Sequence, residues 1–137
     1  MRPFIKAYKF IGLLSLTILL STAAAALAYD MQASNDKGVH VAVTPKTLVQ
    51  NQPAEFKISL NTHSVELSQD LAAVSELRDD QGNSYTPSRW DGSPPGGHHR
   101  RGTLFFPALK ASVHSVTLII RDVAEVPERT FSWKIQP

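Results

Sequence analysis

The chain has 137 residues, enough for one domain of ordinary size and too few for two. It holds no cysteine, which excludes disulfides, thiolate metal sites and cysteine nucleophiles. The formal charge of +2 is an end effect, because Arg2, Lys6 and Lys9 precede the first acid, Asp30, and residues 29–137 carry 11 basic against 12 acidic side chains. A body so near neutrality gives no electrostatic case for nucleic acid or an anionic membrane as partner.

Arg2, Lys6 and Lys9 form a positive head, Phe10 to Leu20 an apolar run, and Ala26-Leu27-Ala28 the small-residue pattern a signal peptidase accepts. The sequence therefore predicts a signal peptide over residues 1–28, cleavage after Ala28, and a periplasmic or secreted protein beginning at Tyr29. Membrane contact is expected only if the segment stays uncleaved, since Phe10 to Ala28 is free of charge and close to the roughly 20 residues that span a bilayer. Ser15, Thr17, Ser21 and Thr22 dilute that run and favour cleavage. Without disulfides, an exported domain must rest on its hydrophobic core, and a chain of this size buries about 60–70% of its unfolded surface.

Residues 29–37 show no periodicity and are expected to be a flexible lead-in to a domain over 38–137. Alternating valines from Val39 to Val43 predict a strand stopped by Thr44-Pro45. From Glu55 to Leu60 the alternation is cleanest, with Phe56, Ile58 and Leu60 inward. Leu67 to Arg78 fits a helical or an extended reading; we expect a crossing loop with one helical turn. Asp79 to Asn83 is turn chemistry, so Ala73–Arg78 and Ser84–Trp90 are expected to form a hairpin. Asp91–His99, with Pro94-Pro95-Gly96-Gly97 at its centre, reads as a loop. Thr103–Phe106, Ser115–Ile120 and Arg129–Ile135 complete the strands, with Trp133 in the core. About seven short strands and no long amphipathic helix predict an all-β fold, an immunoglobulin-like antiparallel β-sandwich.

The segment from Trp90 to Gly102 concentrates the chemistry. A metal reading takes His63, His98 and His99 as imidazole ligands, with Asp91 completing a Zn or Cu site. Against it, adjacent histidines in an extended segment point to opposite faces, and the set matches no recognised ligand spacing. Arg100, beside Arg101, offers a fork for a carboxylate or phosphate, or else belongs to a solvated pair. Trp90 is either a stacking platform or a plug at the end of the sandwich. Ser64 directly follows His63, and neighbours along a strand cannot form a nucleophile–base pair. No Gly-x-Ser-x-Gly elbow or phosphate-cradling loop occurs, so catalysis is not expected.

Phe56 to Leu67 with its Thr62-His63-Ser64, then Asp70-Leu71, Trp90-Asp91-Gly92, Gly96-Gly97-His98-His99-Arg100, Gly102 to Pro107 and Arg129 to Trp133 together resemble an uncharacterised family of small exported bacterial proteins. That resemblance implies an immunoglobulin-like sandwich, keeps the three histidines together as a candidate site, and implies no activity. The function expected is that of an exported, non-enzymatic envelope binding domain, whose partner is a metal ion held by the loop histidines or an envelope protein. A protein-interaction module without metal is the alternative, with an uncovered edge at Val39–Val43 or Arg129–Ile135.

Overall fold

Phe56, Ile58 and Leu60 are wholly buried while Lys57 is exposed, so one strand delivers both a core face and a solvent face. The computed structural model describes residues 28–137 together with Pro3. Apart from Pro3 and Ala28, the expected signal peptide lies outside the described residues. Among them, no helix is long and apolar enough to cross a membrane.

Among the described residues, nine strands form two antiparallel sheets. They are β1 (Gln32–Asp36), β2 (Val39–Thr47), β3 (Pro53–Thr62), β4 (Ser75–Asp79), β5 (Ser84–Tyr85), β6 (Arg89–Gly92), β7 (His99–Ala108), β8 (Ser115–Val123) and β9 (Val126–Lys134), with one helical turn, α1 (Leu71–Val74), before β4. The first sheet runs β1-β2-β3-β7-β6 and the second β5-β4-β8-β9. Setting aside β1 and the two-residue β5 leaves four strands facing three in the order of an immunoglobulin constant-type sandwich. The expected fold class is therefore present, with seven principal strands, although one of them is not the strand expected at Ser84–Trp90. Val41, Val43, Phe56, Leu104, Phe106, Leu118 and Phe131 fill the space between the sheets. Phe56 meets Phe106 edge-on at 5.8 Å and Trp133 at 5.5 Å between ring centroids.

The structure corrects four local expectations. Residues 32–36 are not a flexible lead-in: β1 pairs with β2 from Gln32↔Val43 to Asp36↔Val39. A two-residue turn joins them, with Lys37 at φ 49° and Gly38 at φ 75°, the conformation that matches strand twist. Pro45 does not stop β2, because β1 ends opposite Val43 and leaves β2 a free edge beyond it, where proline is tolerated. The register slips between Pro45 and Thr47 instead. Ser84–Trp90 is not one strand of a hairpin. β5 pairs with β4 only at Leu77↔Tyr85 and Arg78↔Ser84; Pro87 intervenes, and the chain re-enters the opposite sheet as β6. The loop expected at Asp91–His99 is shorter, since Asp91 and Gly92 belong to β6 and His99 opens β7.

The second two-residue turn, between β8 and β9, holds Ala124 at φ 55° and Glu125 at φ 61°, left-handed values unfavourable for residues with a Cβ. Exposed Glu125 changed to glycine is expected to raise unfolding free energy by about 0.5 kcal/mol, readable as a higher urea midpoint.

Candidate functional site

The turns at 37–38 and 124–125, the 63–70 segment and the 93–98 loop share one end of the sandwich. Two buried arginines plug it. Arg129, 2% exposed, donates to Ser34 Oγ at 3.0 Å and to the carbonyls of Asp36, Val39 and Val123 at 3.0–3.3 Å. Arg100, 1% exposed, donates to the carbonyls of Gln69 at 2.6 Å, Leu67 at 3.2 Å and Ser93 at 3.2 Å. Burial lowers the pKa of both guanidiniums, with Asp70 opposing the effect at Arg100 and Asp36 at Arg129. Arg100 is thus neither half of a solvated pair nor a free fork for a ligand. Strand alternation turns it inward with Leu104 and Phe106, and it staples the 67–69 segment to the 93–98 loop.

Trp90 also faces inward. Its indole N–H donates to the Ser93 carbonyl at 2.8 Å, and its ring lies against the facing glycines Gly92 and Gly102. Of its two expected roles, the plug describes its surroundings. His99 lies opposite Asn61 and its Nδ1 pairs with Asn61 Oδ1 at 2.9 Å; the His98 carbonyl accepts from Thr62 N–H at 3.0 Å; His63 is exposed just beyond β3. Asp91 lies opposite Thr103, four residues from His99 along β7 and so about 13 Å away at roughly 3.3 Å per residue. Asp91 is thereby separated from the imidazoles it was expected to join. Among the described residues, no three His, Asp or Glu side chains are grouped so as to hold a metal ion.

The outer face of the five-stranded sheet carries polar groups that strand register brings together. Strand register places Asn35, His40, Asn61 and His99 in one row across β1, β2, β3 and β7. The next row is Ala33, Ala42, Ser59 and Arg101, and beyond it lie Thr44, Lys57, Thr103 and Asp91. Lys57 and Arg101 are diagonal neighbours, about 7–8 Å apart at the backbone. A cleft of about 440 Å³ brings Lys46, Lys57 and Arg101 together with Asp91. A second of about 280 Å³ joins Lys57 and Arg101 to Ser59, Thr44, Ala42 and Met31. Alternation from Glu55 to Leu60 already marked Lys57 and Ser59 as outward, whereas their proximity to Arg101 depends on register.

The opposite face differs in kind. Glu76 accepts from Arg78 at 2.8 Å and Arg121 at 2.9 Å, and Arg121 reaches Glu128 at 3.4 Å; these are the ion pairs among the described residues. Hydrogen bonds from Arg78 and then Ser84 hold the Glu76 carboxyl down at about 2, against a usual value of 4.5. At Asp79, burial pushes the pKa up, but the Asn83 and Gln81 N–H groups, the Asn83 amide and the Tyr85 hydroxyl outweigh it. Both carboxylates bind protons less readily folded than unfolded, so their stabilisation is present above the unfolded pKa and is lost as pH falls toward the folded one. The urea midpoint is expected to drop between pH 4.5 and 2, with a shallower drop in Glu76→Gln.

No family model, curated protein or solved structure matches the chain. The arrangement of its own side chains is therefore what bears on function.

Proposed function

We propose that the protein is an exported immunoglobulin-like module that works by recognition, without catalysis and without bound metal, and that the outer face of its five-stranded sheet meets an envelope partner. The contrast between the two outer faces carries this reading. On the opposite face Glu76, Arg78, Arg121 and Glu128 pair with one another and leave Lys134 as a lone cation, whereas the side chains of Lys46, Lys57 and Arg101, gathered at one cleft, make no ion pair or hydrogen bond among the described residues. Unspent cations gathered in a cleft are available to a partner.

The sheet edges favour face recognition over strand addition. Val39–Val43 is no edge, because β1 covers it. β1 and β9 are edges, yet they are tied to each other: the Gln32 amide donates to the Ser132 carbonyl and accepts from its N–H, and Arg129 donates to Ser34 Oγ, while Pro45 interrupts the margin of β2 that β1 leaves free. At the other margins, β5 has two residues and β6 four. Short or guarded edges of this kind resist pairing with a foreign strand. Export is supported by the charged head, apolar run and small-residue site ahead of Tyr29, the first residue after the expected cut. Tyr29 is already tied in, its hydroxyl donating to the Leu48 carbonyl at 2.8 Å and accepting from Gln136 N–H at 3.0 Å.

A photo-crosslinking residue placed at Ser59, or at Thr117 on the opposite face, tests the reading in cells that export the protein. An adduct from Ser59 alone is expected, on a protein whose mass begins at Tyr29. Adducts from both positions or from neither would overturn the proposal.

A further inference from the structure

Resting on that face as the recognition surface, we infer that its ligand is an acidic segment of a partner protein that carries an apolar side chain near its carboxylate. The cleft across β2, β3 and β7 has two chemically different ends. Lys57 and Arg101 supply positive charge at one end, and Met31, 61% exposed, supplies apolar surface at the other, beside the largely covered Ala42. Among the described residues, Asp91 is the single carboxylate lining the adjoining cleft beside Lys46, Lys57 and Arg101, so the local balance stays positive. Arg101 can accept a carboxylate on two parallel N–H groups, and Lys57 adds a point charge from the next strand.

The apolar end decides between classes of anion. Sulfated or uronic polysaccharides present charge and hydroxyls along their whole length and leave Met31 facing nothing apolar. An acidic peptide provides both groups. Met31 precedes β1 and Arg101 lies on β7, three strand spacings away, or about 14 Å at roughly 4.8 Å each. An extended peptide covers that distance in about four residues, which sets the separation between its apolar and acidic side chains.

Protein recovered from the exported fraction and labelled with ¹⁵N can be titrated with three probes: a twelve-residue glutamate peptide, the same peptide with leucine at every fourth position, and a heparin fragment. The leucine-containing peptide is expected to shift the amide signals of Ala42, Lys57, Ser59, Arg101 and Thr103 and to bind several-fold more tightly than the all-glutamate peptide. Binding should weaken with salt and fall at least tenfold in Lys57→Glu/Arg101→Glu, whereas Met31→Ser should remove only the advantage given by leucine. Binding of heparin but of neither peptide overturns the inference, as do shifts spread equally over Thr117 and Thr130, or no shift at millimolar peptide. A Ser59 adduct in cells combined with failure of the peptides would leave the recognition face standing and remove the acidic segment alone.

Discussion

Arg100→Ala is expected to lower unfolding free energy by about 3–5 kcal/mol, while Arg101→Ala, one residue away, changes it by less than about 0.5 kcal/mol. The two side chains leave β7 on opposite faces. Arg101 ends in solvent, where a charge contributes little. Arg100 is buried, and its guanidinium is the partner of the Leu67, Gln69 and Ser93 carbonyls. Truncation leaves the Gln69 carbonyl unpaired, at a cost of about 1–3 kcal/mol where water does not reach it, and takes a charged donor from the Leu67 and Ser93 carbonyls, which keep only the Gly96 N–H and the Trp90 indole. A buried ion can sometimes be exchanged for an apolar side chain without loss, but that requires removing its partners as well, and carbonyls cannot be removed. Arg100→Met should therefore cost about 2–3 kcal/mol despite its similar volume. Arg100→Lys should fare no better, since one ammonium cannot span carbonyls from two separate segments. Hydrogen exchange should speed up at Leu67 and Gly96, whose N–H groups bond the Gly97 and Leu67 carbonyls at 2.9 and 2.8 Å. An Arg100→Met protein as stable as its parent would show that the Gly96 N–H and the Trp90 indole suffice for two of those carbonyls and that water serves the Gln69 carbonyl.

Where side-chain alternation coincides with hydrophobicity, the sequence is transparent. Phe56, Ile58 and Leu60 point inward, as do Phe131 and Trp133, because each strand has one greasy face. β1 is hidden in the sequence for the converse reason. Ser34 of that strand binds a buried arginine and Gln32 clips a strand edge, so the inward positions are polar and no alternation appears. What holds β1 is its ladder with β2 and a turn whose sequence trace is the single glycine of Lys37-Gly38. Arg100 was misplaced by its charge: its spacing with Leu104 and Phe106 assigns it to the core face, and only knowledge of the three facing carbonyls makes that assignment physically acceptable. The histidines fail in a different way. Placing His63, His98, His99 and Asp91 on loops at one end of a sandwich does not fix register, and register sets His99 beside Asn61 and Asp91 beside Thr103. The same dependence hides the cleft at Lys57 and Arg101, whose residues come from strands distant in sequence. Composition and alternation determine which way a side chain faces, whereas which side chains meet is a property of strand pairing.

Gly102→Ala is expected to destabilise the protein by about 3 kcal/mol or more, or to prevent folding, and Gly92→Ala to do the same. The two glycines face each other across the β6–β7 ladder. A Cβ on Gly102 would lie 2.5 Å from the Asp91 carbonyl oxygen, 2.6 Å from Gly92 Cα and 2.7 Å from the Trp90 ring; on Gly92 it would lie 2.4 Å from the Arg101 carbonyl oxygen. Rotation of Trp90 relieves only one of these contacts, because the others are backbone, so Trp90→Leu should rescue Gly102→Ala only in part. Gly82→Ala isolates the separate effect of backbone conformation. It has φ +83° with open space around the new methyl, and should cost about 1 kcal/mol. The glycine pair also bears on the recognition face, since its close approach brings Asp91 on β6 beside Arg101 on β7 at the mouth of the cleft. A Gly102→Ala protein that folds with β6 displaced should lose the outward register of Asp91 and alter acidic-peptide binding. One that melts within a degree or two of its parent would mean that β6 and β7 lie farther apart than the ladder requires, and with that the cleft would lose one of its walls.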